Sequence, residues 1–468
     1  MENDKSIWLK NSENFRKFRT LDTDLKTDVC VIGGGITGIS TAYYLCKENM
    51  KVTVLEKDKI CSKTSGRTTG KITSQHHLFY NYLINSEDKD FAKKYLKANE
   101  EAIQKIEEII QDENIECDFK RKNAYVWTNK LEKLQAIKDE IDSVKSLGRD
   151  VKVVDNIEVV GKIEGGIEFK NQAQFNPVKY VNSLANCVLK YGGNIYENSK
   201  VVDYKKMDNG FEVLVNVDGN IKKVLTKYLV VATKYPIFNV PGFYFIKMYQ
   251  ELEYGIAIKS DIELDGMYVC SEVPTISYRS YEENGEKYIL IVGNSHKTGE
   301  KSDNNGFKIL EDFAQKYFPD KEIVYKWNAE DCIGLDKIAY IGRYSEVREN
   351  MYVATGFKKW GMTTSNIAGR LITDMIMGRK NKYAEIFDST RIEPVKNREE
   401  VKNMLKEAGE SIIMPIIKGE KGKKYCAHLG CEVTWNEVTN TWDCPCHGSR
   451  YEHDGKLIEG PATKDLEI

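Results

Sequence analysis

The chain has 468 residues, of which 41% are hydrophobic, 10% aromatic and 30% charged, with a mean hydropathy of −0.50. That composition supports a large core and about three domains, and it excludes a disordered or collagen-like chain. Net charge is −2, no apolar run nears the roughly 18 residues of a membrane span, and residues 1–10 lack a secretory pattern; a cytoplasmic protein with no nucleic-acid or membrane partner is expected.

Residues 28–32 form a short apolar, β-branched run and read as a buried strand. A glycine-rich turn follows, then helical spacing over 36–49 and a second strand over 51–56 that ends in an acid. This is a complete βαβ opening. Residues 61–75 are rich in Ser, Thr, Gly and Lys and read as a loop or helix start. Charged helices are expected over 86–111 and 131–147, and Asn176-Pro177 opens another that runs to about Lys190. Strands follow over 210–217 and 224–232. Alternating apolar and polar stretches over 247–291 predict an antiparallel sheet. Residues 351–356 make another strand-to-glycine step, and a helix runs from about 364 to 377. A linker is expected over 391–410, containing a short charged helix over 398–408, before an apolar run at 411–417 and a small C-terminal module.

Gly33, Gly35 and Gly38 make G-x-G-x-x-G between the first strand and helix. The first glycine permits the tight turn, the second lets the backbone approach a pyrophosphate, and the third lets the helix pack on the sheet. The helix N-terminus offers unpaired N–H groups to the phosphates. Glu56, 23 residues after Gly33, can accept bonds from ribose hydroxyls. The motif alone leaves NAD and FAD open. A second G-x-G-x-x-G is missing, which argues for an organic substrate or a protein partner as electron source.

Eleven cysteines are unevenly placed: Cys426, Cys431, Cys444 and Cys446 fall within 21 residues, alongside His428, His447 and His453. In a cytosolic chain such a cluster reads as a metal site before a disulfide framework. Cys426-x-His428 and Cys444-x-x-His447 supply two thiolates and two imidazoles, the ligand set of a Rieske [2Fe–2S] centre. A Cys/His zinc knuckle is the rival reading.

Residues 31–39, Glu56-Lys57 and 65–70 resemble the D-amino-acid oxidase/glycine oxidase class of FAD-dependent oxidoreductases, as do 229–233 and 354–364. The resemblance implies an α/β fold, with an FAD-binding Rossmann-like domain and an antiparallel-sheet substrate domain. It implies FAD contacts at Gly33, Gly35, Gly38, Glu56, Lys57, Thr64, Ser65, Thr69 and Gly70, and also at Gly356, Met362, Thr363 and Thr364. Within residues 1–390 it places the FAD-binding subdomain at about 25–85, 150–235 and 325–385. The substrate subdomain then covers about 86–149 and 236–324. Amine-oxidising members often carry Trp-x-Gly-x-Arg-Pro. This chain reads Trp327-Asn-Ala-Glu-Asp-Cys332, without the arginine that can bind a substrate carboxylate. Arg279 is a candidate replacement cation, and His296 a candidate facing the flavin.

The C-terminal segment resembles Rieske proteins through Cys-x-His-Leu-Gly-Cys, Cys-Pro-Cys-His-Gly-Ser, Tyr451 and Gly460-Pro-Ala462. By that resemblance residues 411–468 form a shortened, all-β Rieske module. Cys426 and Cys444 would hold one iron and His428 and His447 the other, with a Cys431–Cys446 disulfide between the loops. Ser449 and Tyr451 would donate to sulfur. The expected protein is an enzyme in which FAD takes electrons from a small organic substrate, such as an amine, and a [2Fe–2S] cluster exchanges them singly with a redox-protein partner. The alternatives are an electron-transfer protein without its own substrate, and an O₂-using flavin oxidase with a structural C-terminus.

Overall fold

The computed structural model describes residues 5–10, 15–300, 306–391 and 423–468. Apart from Arg391 the expected linker, its helix over 398–408 and the run at 411–417 lie outside the described residues.

The first sheet has eight strands. Its path runs Tyr340–Arg343, Met351–Thr355, Asn220–Val231, Leu25–Ile32, Val52–Leu55, Asn194–Tyr196, and Gly210–Val217 and Lys200–Met207 extend it from Asn220–Val231. Leu25–Ile32 pairs in parallel on both sides, Val31 with Val54 and with Val230. Val29 to Ile32 and Val52 to Leu55 are all buried, as expected for central parallel strands covered on both faces. Helices Ile36–Lys47 and Gly361–Ile376 cross over this sheet, close enough that a Cβ at Gly369 would lie 3.2 Å from the Ser40 backbone. Thr37 and Ser365 share a hydroxyl hydrogen bond of 2.9 Å between them.

The second sheet has nine strands, in the order Ile323–Gly334, Met248–Lys259, Glu286–Lys297, Ile276–Glu283, Gly266–Cys270, Lys120–Thr128, Gly161–Gln174, Lys71–Ile72, with Lys152–Ile157 on Gly161–Gln174. It is antiparallel except where Gly266–Cys270 runs parallel to Lys120–Thr128. Residues 71–72, 152–174 and 325–334, expected within the FAD-binding subdomain, pair in this second sheet. Long-range pairing decides which sheet a strand joins.

The helices expected over 86–111, over 131–147 and from Asn176-Pro177 form. Asp88 accepts from the Phe91 amide at 2.8 Å and opens Lys89–Asp112; Asn176 accepts from Val178 and Lys179 amides at 3.1 Å and opens Pro177–Lys190. The C-terminal module is a four-stranded antiparallel sheet, Thr434–Asn436, Thr441–Asp443, Arg450–Tyr451 and Leu457–Glu459. Among the described residues no helix is long and apolar enough to cross a membrane.

Candidate active site and metal centre

A cleft of about 1620 Å³, its open mouth included, runs from the glycine-rich turn to the C-terminal module. At one end Gly33 has φ +106°, and a Cβ there would lie 2.9 Å from the Ala232 carbonyl oxygen. Gly35 caps helix Ile36–Lys47 without a side-chain bond, and Ser65 Oγ, also in the cleft wall, accepts from the Ile36 amide at 3.1 Å. A Cβ at Gly38 would collide with the Gly33 carbonyl, which is why the third glycine is needed. Glu56 closes this end: its carboxylate accepts from the Gly34 amide at 2.7 Å and the Asp58 amide at 2.9 Å, and burial raises its pKa. Further along, the wall is made by Thr233 to Tyr235, Ala329, Asp331 and Cys332, Gly356 (φ +74°), Lys359 and Met362. Asp331 stands opposite Glu251 in the sheet. Burial, helped by Glu253, raises its carboxyl to about 6. Lys359 pairs with Glu251 at 3.1 Å and Glu253 at 3.4 Å.

Leu457, Glu459 and 460–463 of the C-terminal module complete the wall. Here two loops face each other. Cys431 and Cys446 are joined by a disulfide, with Cα atoms 6.6 Å apart, and it ties the loops together. The Cys444 sulfur lies within 4.8 Å of both bridged sulfurs. Cys426 and Cys444 are buried and free, and the Tyr451 hydroxyl lies 3.1 Å from the Cys426 sulfur. Bonding from Cys444, with Ser449 and Tyr451, holds the Cys426 thiol below its ordinary range despite burial. The rings of His428 and His447 stand perpendicular, centroids 4.9 Å apart. Burial lowers them to about 4 and about 3, so both are neutral at pH 7. Both Nδ1 atoms are buried without a hydrogen-bond partner, while His428 Nε2 donates to Asn239 Oδ1 at 2.8 Å.

Residues 28–375 match the family described as FAD dependent oxidoreductase. The chain belongs to that family. Residues 420–468 match the Rieske [2Fe-2S] domain. The chain is 34% identical to the Rieske 2Fe-2S iron-sulfur protein YhfW of Bacillus subtilis, over 99% of this chain and 97% of that one. It is 22% identical to the gamma-glutamylputrescine oxidoreductase of Escherichia coli, over 82% of this chain and 91% of that one. Glycine oxidase from Geobacillus kaustophilus superposes with a TM-score of 0.66 at 18% identity, covering 79% of this chain and 99% of that one.

An FAD-dependent oxidoreductase with a Rieske domain needs two sites, and the residues present fit both. The glycine turn lines the cleft, with Gly33 at a φ of +106° and so close to the Ala232 carbonyl that only glycine fits, which leaves bare backbone facing the cofactor space. The two Nδ1 atoms without partners are lone pairs poised for a metal, since in His428 the other ring nitrogen carries the proton.

Of the residues expected to touch FAD, Gly33, Gly35, Glu56, Lys57, Thr64, Ser65, Gly356 and Met362 line the cleft. Gly38, Thr69, Gly70, Thr363 and Thr364 do not line it. Gly70 has φ +67°, and a Cβ there would press on the Phe175 carbonyl at 2.5 Å. Thr364 Oγ1 donates to the Trp360 carbonyl at 2.9 Å.

The two substrate-side candidates lie elsewhere. Arg279 is only 1% exposed, and its guanidinium donates to the carbonyls of Thr69, Ser280 and Phe175, so it braces the loop behind the cleft and faces no substrate. His296 stacks on Tyr254, centroids 5.7 Å apart, beside Asp443 of the Rieske domain, and does not line the cleft. Sequence reasoning missed Lys234, Tyr235, Asp331, Lys359 and Asn239. Lys234 and Tyr235 directly follow the stretch 229–233 that carried the resemblance, so extending it by two residues finds them. Asn239 has no local signal, because its partner is 189 residues away.

Proposed function

We propose that this oxidoreductase oxidises a small amine in the cleft and moves the electrons within one chain to its own Rieske centre, from which a redox-protein partner collects them. When bound, FAD supplies hydride acceptance from the substrate and the cluster supplies single-electron exchange. Cys426 and Cys444 would hold one iron, His428 and His447 the other.

The observation that carries this reading is the inward orientation of the imidazoles. His428 is held by Asn239, and His447 is 4% exposed, with its backbone carbonyl accepting from Gln250 Nε2 at 2.6 Å. The same Gln250 nitrogen donates to the Gly460 carbonyl at 3.0 Å, in the loop that lines the cleft. The histidine edge therefore faces the flavin domain, the geometry needed for exchange inside the chain. Tyr235 stands between: it lines the cleft, and its ring meets that of His428 at 6.4 Å.

An amine is favoured over an amino-acid carboxylate by charge. Arg279 is taken up by backbone carbonyls and Lys359 by two glutamates, whereas Asp331 offers the cleft a carboxylate for an ammonium group. The test is anaerobic mixing of the holoenzyme with a panel of mono- and polyamines. Flavin bleaching followed by growth of the reduced-cluster EPR signal at a rate independent of protein concentration is expected. Bleaching without cluster reduction, followed by rapid reaction with O₂, would instead establish a simple oxidase.

A further inference from the structure

The Rieske segment that completes the cleft wall is pinned there by side chains of the oxidoreductase domain. Lys63 Nζ donates to the Ile458 carbonyl at 3.3 Å and Lys234 Nζ to Glu459 Oε2 at 2.8 Å. Gln250 Nε2 donates to the Gly460 carbonyl at 3.0 Å and Lys200 Nζ to the Thr463 carbonyl at 2.8 Å. Every donor comes from the oxidoreductase domain, and every acceptor lies within residues 458–463.

The anchors sit at different places along the cleft. Gln250 Oε1 accepts from the Cys332 thiol at 3.5 Å, and Cys332 lines the cleft wall. Lys200 follows Ser199, whose amide donates to the carbonyl of Glu56, the residue at the closed end, at 2.8 Å. Residues 460–463 therefore run lengthwise beside the cleft, from its Cys332 wall towards its Glu56 end. Between these anchors Pro461 and Ala462 are buried. The Ala462 amide donates to Ser449 Oγ at 3.0 Å, which ties the segment to the second cluster loop on its other side. Proline fixes its own φ, so the segment is stiff between its anchors. Local opening of a segment held by a few polar bonds needs far less free energy than global unfolding. A cofactor lying behind such a segment exchanges with solvent at the rate the segment opens.

We propose that residues 458–463 of the Rieske domain are a strap that retains FAD. The cofactor enters and leaves the cleft while the strap is lifted from Lys63, Gln250 and Lys200. The C-terminal domain then has a second task besides holding its cluster, and that task sets the order of assembly: FAD loads first and the Rieske domain docks over it. Neither the substrate nor the direction of electron flow bears on this role.

The test uses the full-length protein with both cofactors. FAD release is followed after dilution by the fluorescence of the free flavin, and FAD entry by the loss of that fluorescence when FAD is added to flavin-stripped protein. Gln250→Leu removes an anchor without touching the cofactor space, because Gln250 does not line the cleft. Lys200→Met removes the anchor at the Glu56 end. Each variant should speed release and entry together, by roughly 3- to 10-fold for a lost bond of this kind. A lost cofactor contact would speed release alone. Iron per chain, read on the same samples, shows that the cluster loops remain formed. Hydrogen exchange of the wild type is the second readout. Amides over 458–463 should exchange more slowly with FAD bound than after stripping, while those over 434–443 in the same domain should not change. Equal exchange over 458–463 with and without FAD, unchanged rates in both variants, or faster release without faster entry overturns the proposal. None of these measurements involves an amine or electron transfer, so failure here leaves the proposed reaction to the amine-mixing experiment.

Discussion

His428 and Asn239 meet across the boundary between the Rieske domain and the flavin domain, Nε2 to Oδ1, at 2.8 Å. The amide oxygen can only accept, so the ring must carry its proton on Nε2 and present a bare Nδ1. One side chain of the flavin domain thus sets the tautomer of an imidazole in the other domain. Asn239→Ala should loosen the ring and lower iron retention by roughly 10- to 100-fold against a chelator, the usual cost of losing such a support. Asn239→Asp keeps an acceptor and should retain the iron. Iron per chain after timed chelation reads both variants, and equal retention in Asn239→Ala would deny the residue this role.

What could be read in the sequence was local. The three glycines, the acid at the end of the second strand and the paired Cys/His loops each act within a few tens of residues, through turn geometry or ligand spacing. Asn176-Pro177 likewise announced its helix because capping is a neighbour effect. The illegible part depended on which distant segments meet. The sheet that residues 152–174 join is settled by the pairing of Gly161–Gln174 with Lys120–Thr128, onto which Lys152–Ile157 then adds. Arg279 looked like a free cation because nothing nearby in sequence reveals carbonyls at Thr69 and Phe175, more than a hundred residues away.

Glu113 gives a pH prediction. Burial alone would raise its carboxyl, but hydrogen bonds from Lys190 at 2.8 Å, Tyr191 at 2.7 Å and Tyr43 at 2.9 Å hold it down to about 2. These bonds join the C-terminal end of Lys89–Asp112 to two other helices. A carboxyl with a depressed native pKa contributes stability that is present above its unfolded value and lost as pH falls through the native one. Glu113→Gln should therefore lower Tm at pH 7, and the gap should close between about pH 4.5 and about pH 2. A Tm difference that stays constant down to pH 2 would show that packing, not charge, is at issue.

Arg450 anchors the Rieske domain from inside. It is 3% exposed, donating to Asp443 Oδ1 at 3.2 Å within the domain and to Asn328 Oδ1 at 2.8 Å in the substrate sheet. Arg450→Met leaves the Asp443 carboxylate buried and unpaired, a loss of about 3–5 kcal/mol. The cluster absorbance should then melt well before the flavin domain. Removing both charges, with Asp443→Leu added, should recover most of that loss, because the unpaired charge is the main cost. A double variant no more stable than the single one would place the loss in the Asn328 contact.

Gly33 couples backbone conformation to cofactor retention. Its φ of +106° lies where side chains are strained, and the Ala232 carbonyl oxygen would stand 2.9 Å from any Cβ. Gly33→Ala must either bear that strain, about 1–3 kcal/mol, or relax the turn away from the pyrophosphate position. The flavin site suffers in both cases, so FAD affinity should fall by roughly 5- to 150-fold, the equivalent of that energy. The Rieske loops lie far along the chain and hold their metal with other residues, so iron content should be unchanged. Flavin and iron per chain, measured on the same preparation, separate the two effects. Loss of both together would mean that the substitution unfolds the protein, and full flavin retention would show that the turn tolerates a side chain.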